Sequence, residues 1–181
     1  IPKMTTELKK NIEKLYIIFF KYHALDMTGS DLYEDKLPQW NKDILSKPLQ
    51  KLDEEDLSLY AGKAITTWGT ATDYKHFIPR ILELTAELRT PYDIHIAFDK
   101  LDLADWKNWP KKEKTIIHEF MILLWDNLVN DNSTKAEREF EDYFYSIICF
   151  YPNFTHLLNI WGDSESKGAT KHLANYIVEN S

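Results

Sequence analysis

A chain of 181 residues has the length of one domain with one sizeable core. Hydrophobic residues make up 44% and charged residues 28%, a composition that excludes a disordered chain. The formal net charge of −7 argues against a general phosphate-backbone binder, which needs clustered Lys and Arg. No nucleic-acid partner is therefore expected, whereas a basic partner would be captured by long-range steering. The aromatic share of 14% supplies rings for a core and also for binding surfaces.

Only five glycines occur, and apolar residues recur at spacings of three and four. This pattern predicts an all-α fold, a single helical domain over residues 1–181 with about eight helices. Residues 1–3 read as an added extension ahead of a native start at Met4. Thr5 or Thr6 caps a first helix reaching about Tyr22, with Leu8, Ile12, Leu15, Phe19 and Tyr22 on one face. Ile17, Ile18 and Phe20 widen that stripe and predict burial on more than one side. The run Leu15 to Phe20 is too short for a bilayer, which needs about 20 residues. Glu7 and Glu13 interrupt any signal-peptide pattern. A cytoplasmic protein with no membrane partner is the expectation.

Residues 24–52 break the periodicity. Gly29, Pro38 and Pro48 predict a long irregular connection with at most short helical turns, packed on the core through Leu32, Leu37, Trp40, Ile44, Leu45 and Leu49. Asp53 then caps a helix with Glu54, Glu55 and Asp56 in its first turn, running to Trp68 and stopping at Gly69. Thr72 caps the next, which ends near Arg89. After Pro91, Asp93 caps a helix with Ile94, Ala97, Phe98 and Leu101 on one face. Pro110, as a first helical residue, opens a helix to about Val129 that buries Ile117, Phe120, Leu124 and Leu128. Asn130 to Ser133 form a turn. The following helix carries Phe140, Tyr143, Phe144 and Ile147 to a stop at Pro152. Phe154 to Trp161 is a short helix ended by Gly162, and a last helix covers about Ala169 to Val178. Short links favour antiparallel or orthogonal neighbours. No repeat of fixed period is present, so the helices form a compact bundle or irregular stacked pairs.

Several residues invite a chemical reading. The lone Cys149 lies in an apolar stretch and is expected to be a small buried hydrophobe; it cannot form an internal disulfide. His118-Glu119 begins like a zinc-protease helix, but the second ligand, four residues on, would be Ile122. No metal and no cofactor are expected, since a glycine-rich phosphate loop and a Gly-x-Ser-x-Gly elbow are lacking as well. Asp73, His76 and Arg80 fall along one side of a helix. They form either a small polar site or a helix junction stapled by Asp73–His76 or Asp73–Arg80 pairing. Pro79 predicts a kink or break between them. Asp99, Asp102 and Asp105 on one helix, and Glu137, Glu141 and Asp142 on another, form solvated acidic faces and are the candidate partner-binding residues.

The segment Leu52 to Leu128 resembles a family of uncharacterised bacterial helical proteins. The resemblance is carried by Leu59-Tyr60, Lys63-Ala64 and Thr67-Trp68-Gly69, by the string Asp73-Tyr74-Lys75-His76-Phe77-Ile78-Pro79-Arg80-Ile81-Leu82-Glu83-Leu84, and by Trp106 through Trp109-Pro110 with Glu113. It implies a helical fold in a bacterial cytoplasm. By analogy, small acidic helical proteins of this kind are often immunity proteins for secreted toxins, nucleases among them. The expected function is thus that of a protein-binding immunity or inhibitor protein with a basic toxin as partner. A helical scaffold or regulator is the alternative. An enzyme with its site near Asp73, His76 and Arg80 is the least favoured.

Overall fold

A computed structural model describes residues 4–180 of the chain. The extension expected at residues 1–3 lies outside the described residues. Among the described residues the fold is all-helical, with nine α-helices and no strand beyond isolated bridges from Trp68 to Gly29 and Ala64. The helices are α1 (Thr6–Phe19), α2 (Leu37–Ile44), α3 (Glu54–Lys63), α4 (Ala71–Ala86), α5 (Ile94–Leu103), α6 (Lys111–Asn130), α7 (Thr134–Phe150), α8 (Phe154–Gly162) and α9 (Lys167–Glu179). None is long and apolar enough to cross a membrane.

Side-chain caps define many of the helix starts. Thr5, Asp93, Ser133, Asn153 and Ser166 each accept a first-turn amide. Asp53–Asp56 and Thr70–Asp73 form reciprocal capping boxes, which satisfy two orphan donors at once. The cap of α4 is Thr70 rather than Thr72. Pro110 is the residue before α6 rather than its first helical residue.

Helix α6 is the axis of the domain. Ile116, Ile117, Phe120, Met121, Leu124, Trp125 and Leu128 are buried on it, and α1, α7, α8 and α9 all pack against it. The Trp125 indole N–H donates to the Leu157 carbonyl at 2.8 Å. Helix α9 reaches α6 at Gly168, where a Cβ would meet the Asn130 carbonyl oxygen at 2.8 Å. The buried His172 ring of α9 lies flat on Phe140, with centroids 4.2 Å apart.

Six further expectations are corrected. The connection 24–52 contains a two-turn helix, α2, because Pro38 sits in its first turn, where a missing amide costs nothing. Helix α3 stops at Lys63. Ala64 turns extended and Ile65 is left-handed, and the indole N–H of Trp68 is bonded to Asn41 at 2.8 Å. Pro79 does not break α4, which runs unbroken from Ala71 to Ala86 with Ile78, Pro79, Ile81 and Leu82 buried. On α1, Ile17 and Phe20 are 75% and 77% exposed, since that helix packs on α4 and α6 and leaves its outer side uncovered. Leu32 is exposed too, while Leu37, Trp40, Ile44, Leu45 and Leu49 do pack on the core. Cys149 is also exposed; it stands two residues beyond the buried Ile147, about 200° further round the helix.

One polar cluster ties α1, α4 and α6 together. Glu113 is 1% exposed. Its Oε1 accepts from Lys21 Nζ at 2.8 Å and from the Tyr22 hydroxyl at 2.7 Å. Its Oε2 accepts from Lys75 Nζ at 2.8 Å. Lys75 in turn lies over the Trp109 ring at 4.0 Å. Burial works to raise the Glu113 pKa, and the hydrogen bonds from Lys21, Lys75 and Tyr22 outweigh it, so the carboxyl is held below its usual range. A folded pKa below the unfolded value of about 4.3 means that the contribution is whole above that pH. It is lost as pH falls through the folded value. Glu113→Gln leaves Lys75 buried without its counter-charge and should lower stability at neutral pH by about 3–5 kcal/mol. Urea melts should also show a shallower loss of stability in acid for the variant than for the parent; equal acid limbs would contradict this role.

Candidate functional site

The link between α4 and α5 holds two bulky residues in left-handed backbone, Leu88 at φ 57° and Tyr92 at φ 72°. Leu88 closes α4, with the Arg89 amide reaching back to the Leu84 carbonyl at 2.8 Å, a position that glycine usually fills. Such a conformation costs about 1–3 kcal/mol for a side chain with a Cβ. Leu88 is 7% exposed, so its burial repays the cost at about 1.5–3 kcal/mol. Tyr92 is 68% exposed and has no such compensation. Pro91 before it presets a turn whose next position favours glycine.

Tyr92 stands between two depressions. One, of about 350 Å³, is lined by Glu54, Arg89, Asp93, Lys135, Arg138 and Asp142, among others. The other, of about 460 Å³, is lined by Glu55, Ser58, Leu59, Gly62, Lys63 and Tyr92. The Tyr92 ring lies beside Gly62, where a Cβ would be 3.6 Å from it, an ordinary contact.

The floor of the first depression is cross-linked by hydrogen bonds. The buried Tyr143 hydroxyl donates to the Thr85 carbonyl at 2.8 Å and accepts from the Thr90 hydroxyl at 2.7 Å. Burial pushes the Tyr143 pKa up, so the phenol stays a donor. Arg89 holds Glu54 through both carboxylate oxygens and reaches Glu87 at 3.1 Å. The Arg89 hydrogen bonds hold the Glu54 carboxyl below its usual range. Lys135 and Asp142 on α7 face this space with no ion pair among the described residues. The surface therefore offers an exposed aromatic ring, apolar contact at Leu59 and charges of both signs. No group of three or more His, Cys, Asp or Glu is placed to hold a metal among the described residues.

Asp142 is thus the one candidate partner-binding residue that falls on this surface. Glu137 and Glu141 turn the other way, toward α9, where Lys171 binds Glu137 and Asn180 Nδ2 donates to Glu141 at 2.9 Å. On α5, Asp99 lies 3.6 Å from His95. Asp102 accepts from the Trp106 indole at 2.9 Å, and Asp105 accepts from Asn108 in a left-handed turn.

Asp73, His76 and Arg80 do not converge, and neither of the pairings expected among them forms. Asp73 closes its capping box, accepting from the Thr70 amide at 2.8 Å. His76 Nδ1 donates to the Tyr22 carbonyl at 3.0 Å. Burial lowers the pKa of this ring. Arg80 donates to the Leu52 carbonyl and to Glu83, both at 2.6 Å. Asp73 caps α4 itself, while His76 and Arg80 tie α4 to Tyr22 beyond the end of α1 and to the end of the long connection, so the expected junction pairing is replaced by separate contacts. His118 of the zinc-like string lies against Trp106, with ring centroids 5.0 Å apart.

Reasoning from the sequence missed Tyr92, Leu59 and Arg89. A tyrosine after Pro91 was the available signal, but Pro-Tyr also fits a turn without positive φ. Comparison with known proteins returned no matching family model, no matching curated protein and no matching solved structure.

Arg80→Ala should lower stability by about 1.5–3 kcal/mol, the value of a hydrogen bond to a charged group. Asp73→Ala should cost about 1 kcal/mol as a lost cap. Chemical denaturation of the two variants checks both, and a neutral or stabilising Arg80→Ala would return this residue to the functional candidates.

Proposed function

We propose that the chain is a protein-binding protein that docks a basic partner on the surface organised by Tyr92. Its function on this reading is that of an immunity or inhibitor protein neutralising a basic secreted toxin such as a nuclease. The observation that carries it is Tyr92, an exposed ring carried on left-handed backbone. A fold keeps an uncompensated cost of this kind where the residue serves something other than stability. Tyrosine is also a preferred anchor of protein interfaces, because it brings a large rigid ring with a polar tip. The net charge of −7 supplies the steering for a basic partner.

One observation favours the scaffold alternative. Phe154, Leu158 and Leu173 are exposed along a groove of about 400 Å³ between α8 and α9, floored by Phe144, Trp161 and Tyr176. Apolar patches of this type mark interaction surfaces.

Tyr92→Gly separates stability from function. Glycine adopts φ 72° freely, so the variant should melt no lower than the parent and gain up to about 1 kcal/mol. Its affinity for the purified partner, sought as the product of the adjacent gene, should fall at least about tenfold, the size of an interface anchor. Loss of stability with binding unchanged would make Tyr92 a structural residue and sink the proposal.

A further inference from the structure

An ammonium already lies on aromatic rings at the edge of the Tyr92 surface. Lys63 lines the second depression. Its Nζ is 4.1 Å from the centroid of the Tyr33 ring and 5.6 Å from that of Trp40. The two rings are 5.2 Å apart and tilted by 43°. Trp40 is backed by Trp68 at 5.2 Å. Trp68 is pinned through its indole N–H to Asn41, whose own amide donates to the Met27 carbonyl at 2.8 Å. Trp40, and through it the Tyr33 ring that leans on it, is therefore backed by a buried framework independent of the lysine.

Three lysines among the described residues, Lys21, Lys63 and Lys75, lie on aromatic faces, and Lys63 differs from the other two, which share the Glu113 carboxylate. Lys75 has a carboxylate, Glu113, at 2.8 Å. Lys63 Nζ has neither a carboxylate nor a hydrogen-bond acceptor among the described residues; the rings are its contacts. The turn that presents Tyr33 carries Asp31, Glu34 and Asp35, all exposed and none of them ion-paired among the described residues. Ring faces hold a cation weakly at an exposed site, and such a hold yields to a competing cation. A lysine side chain is flexible enough to leave for solvent.

We infer that the Tyr33–Trp40 pair is a receptor for a lysine side chain of a protein partner, with Lys63 as its resident cap in the free protein. The occupant follows from the chemistry in place. The site already accepts an alkylammonium, and the exposed Asp31, Glu34 and Asp35 of the turn that carries Tyr33 favour the approach of a second one. The inference rests on the reading of a basic protein partner and gives that partner a second anchor beside Tyr92.

The test needs no partner, so it fails separately from the Tyr92 experiment. Lys63→Ala removes the cap at the last residue of α3, where alanine favours the helix. Both proteins are titrated with n-butylammonium chloride, the lysine side-chain analogue, against sodium chloride of equal ionic strength. The readout is the ring NMR signals of Tyr33 and Trp40. Lys63→Ala should show saturable shifts with an affinity about three- to fivefold tighter than the parent, and Lys63→Ala with Tyr33→Leu should lose them. Absence of saturable shifts in Lys63→Ala, equal binding by parent and variant, or shifts that survive Tyr33→Leu would each overturn the inference. Saturation by tetramethylammonium alone would point to a free quaternary ammonium ligand and would overturn the lysine assignment as well.

Discussion

A single buried carboxylate sets the geometry of the N-terminal half. Glu113 is placed at the start of α6, and its donors come from the end of α1 and the middle of α4. An ionised group so deep is tolerable only when its lone pairs are filled, which fixes where Lys75, Lys21 and Tyr22 can be. The position of Tyr22 then places its own carbonyl against His76. With α4 oriented in this way, Arg80 meets Leu52 at the end of the long connection, and the helix C-terminus at Leu88 delivers the link that carries Tyr92. The candidate surface is thus a downstream result of a charge cluster that takes no part in it.

Local signals in the sequence were read well where one residue type does one physical job. Asp53, Asp93 and the Thr5 start cap as their chemistry requires, and the apolar faces of α5, α6 and α7 are buried as spaced. Reading failed where tertiary contacts chose between equivalent local options. Tyr60, Ala64 and Trp68 are spaced for a helix face, yet Trp68 is bonded to Asn41, a residue 27 positions earlier. Ile17 and Phe20 are as apolar as Leu15 and Phe19, and only the placement of α4 and α6 decides which pair is covered. The acidic residues of α5 and α7 were legible as exposed carboxylates, but not their division between α9, local turns and the cleft.

The candidate surface was the least legible part for a related reason. Backbone conformation, not residue type, makes Tyr92 unusual, and a positive φ in a non-glycine residue leaves no mark in composition or periodicity. The same holds for Lys63, whose charge would normally be read as solvation of a helix end. Its aromatic partners come from a segment more than twenty residues upstream that reads as irregular.

The long reach of α1 has a consequence for synthesis. The Thr5 amide bonds Asn127, Asn11 bonds the Ile116 carbonyl and Tyr22 bonds Glu113, across 122, 105 and 91 residues of chain. At about 5–20 residues per second on the ribosome, these partners follow α1 by roughly 5–25 s. Throughout that interval Leu8, Ile12, Leu15 and Phe19 form an apolar helix face without its principal cover. Docking of α1 is therefore a late step in folding, one that waits for α6 to be made.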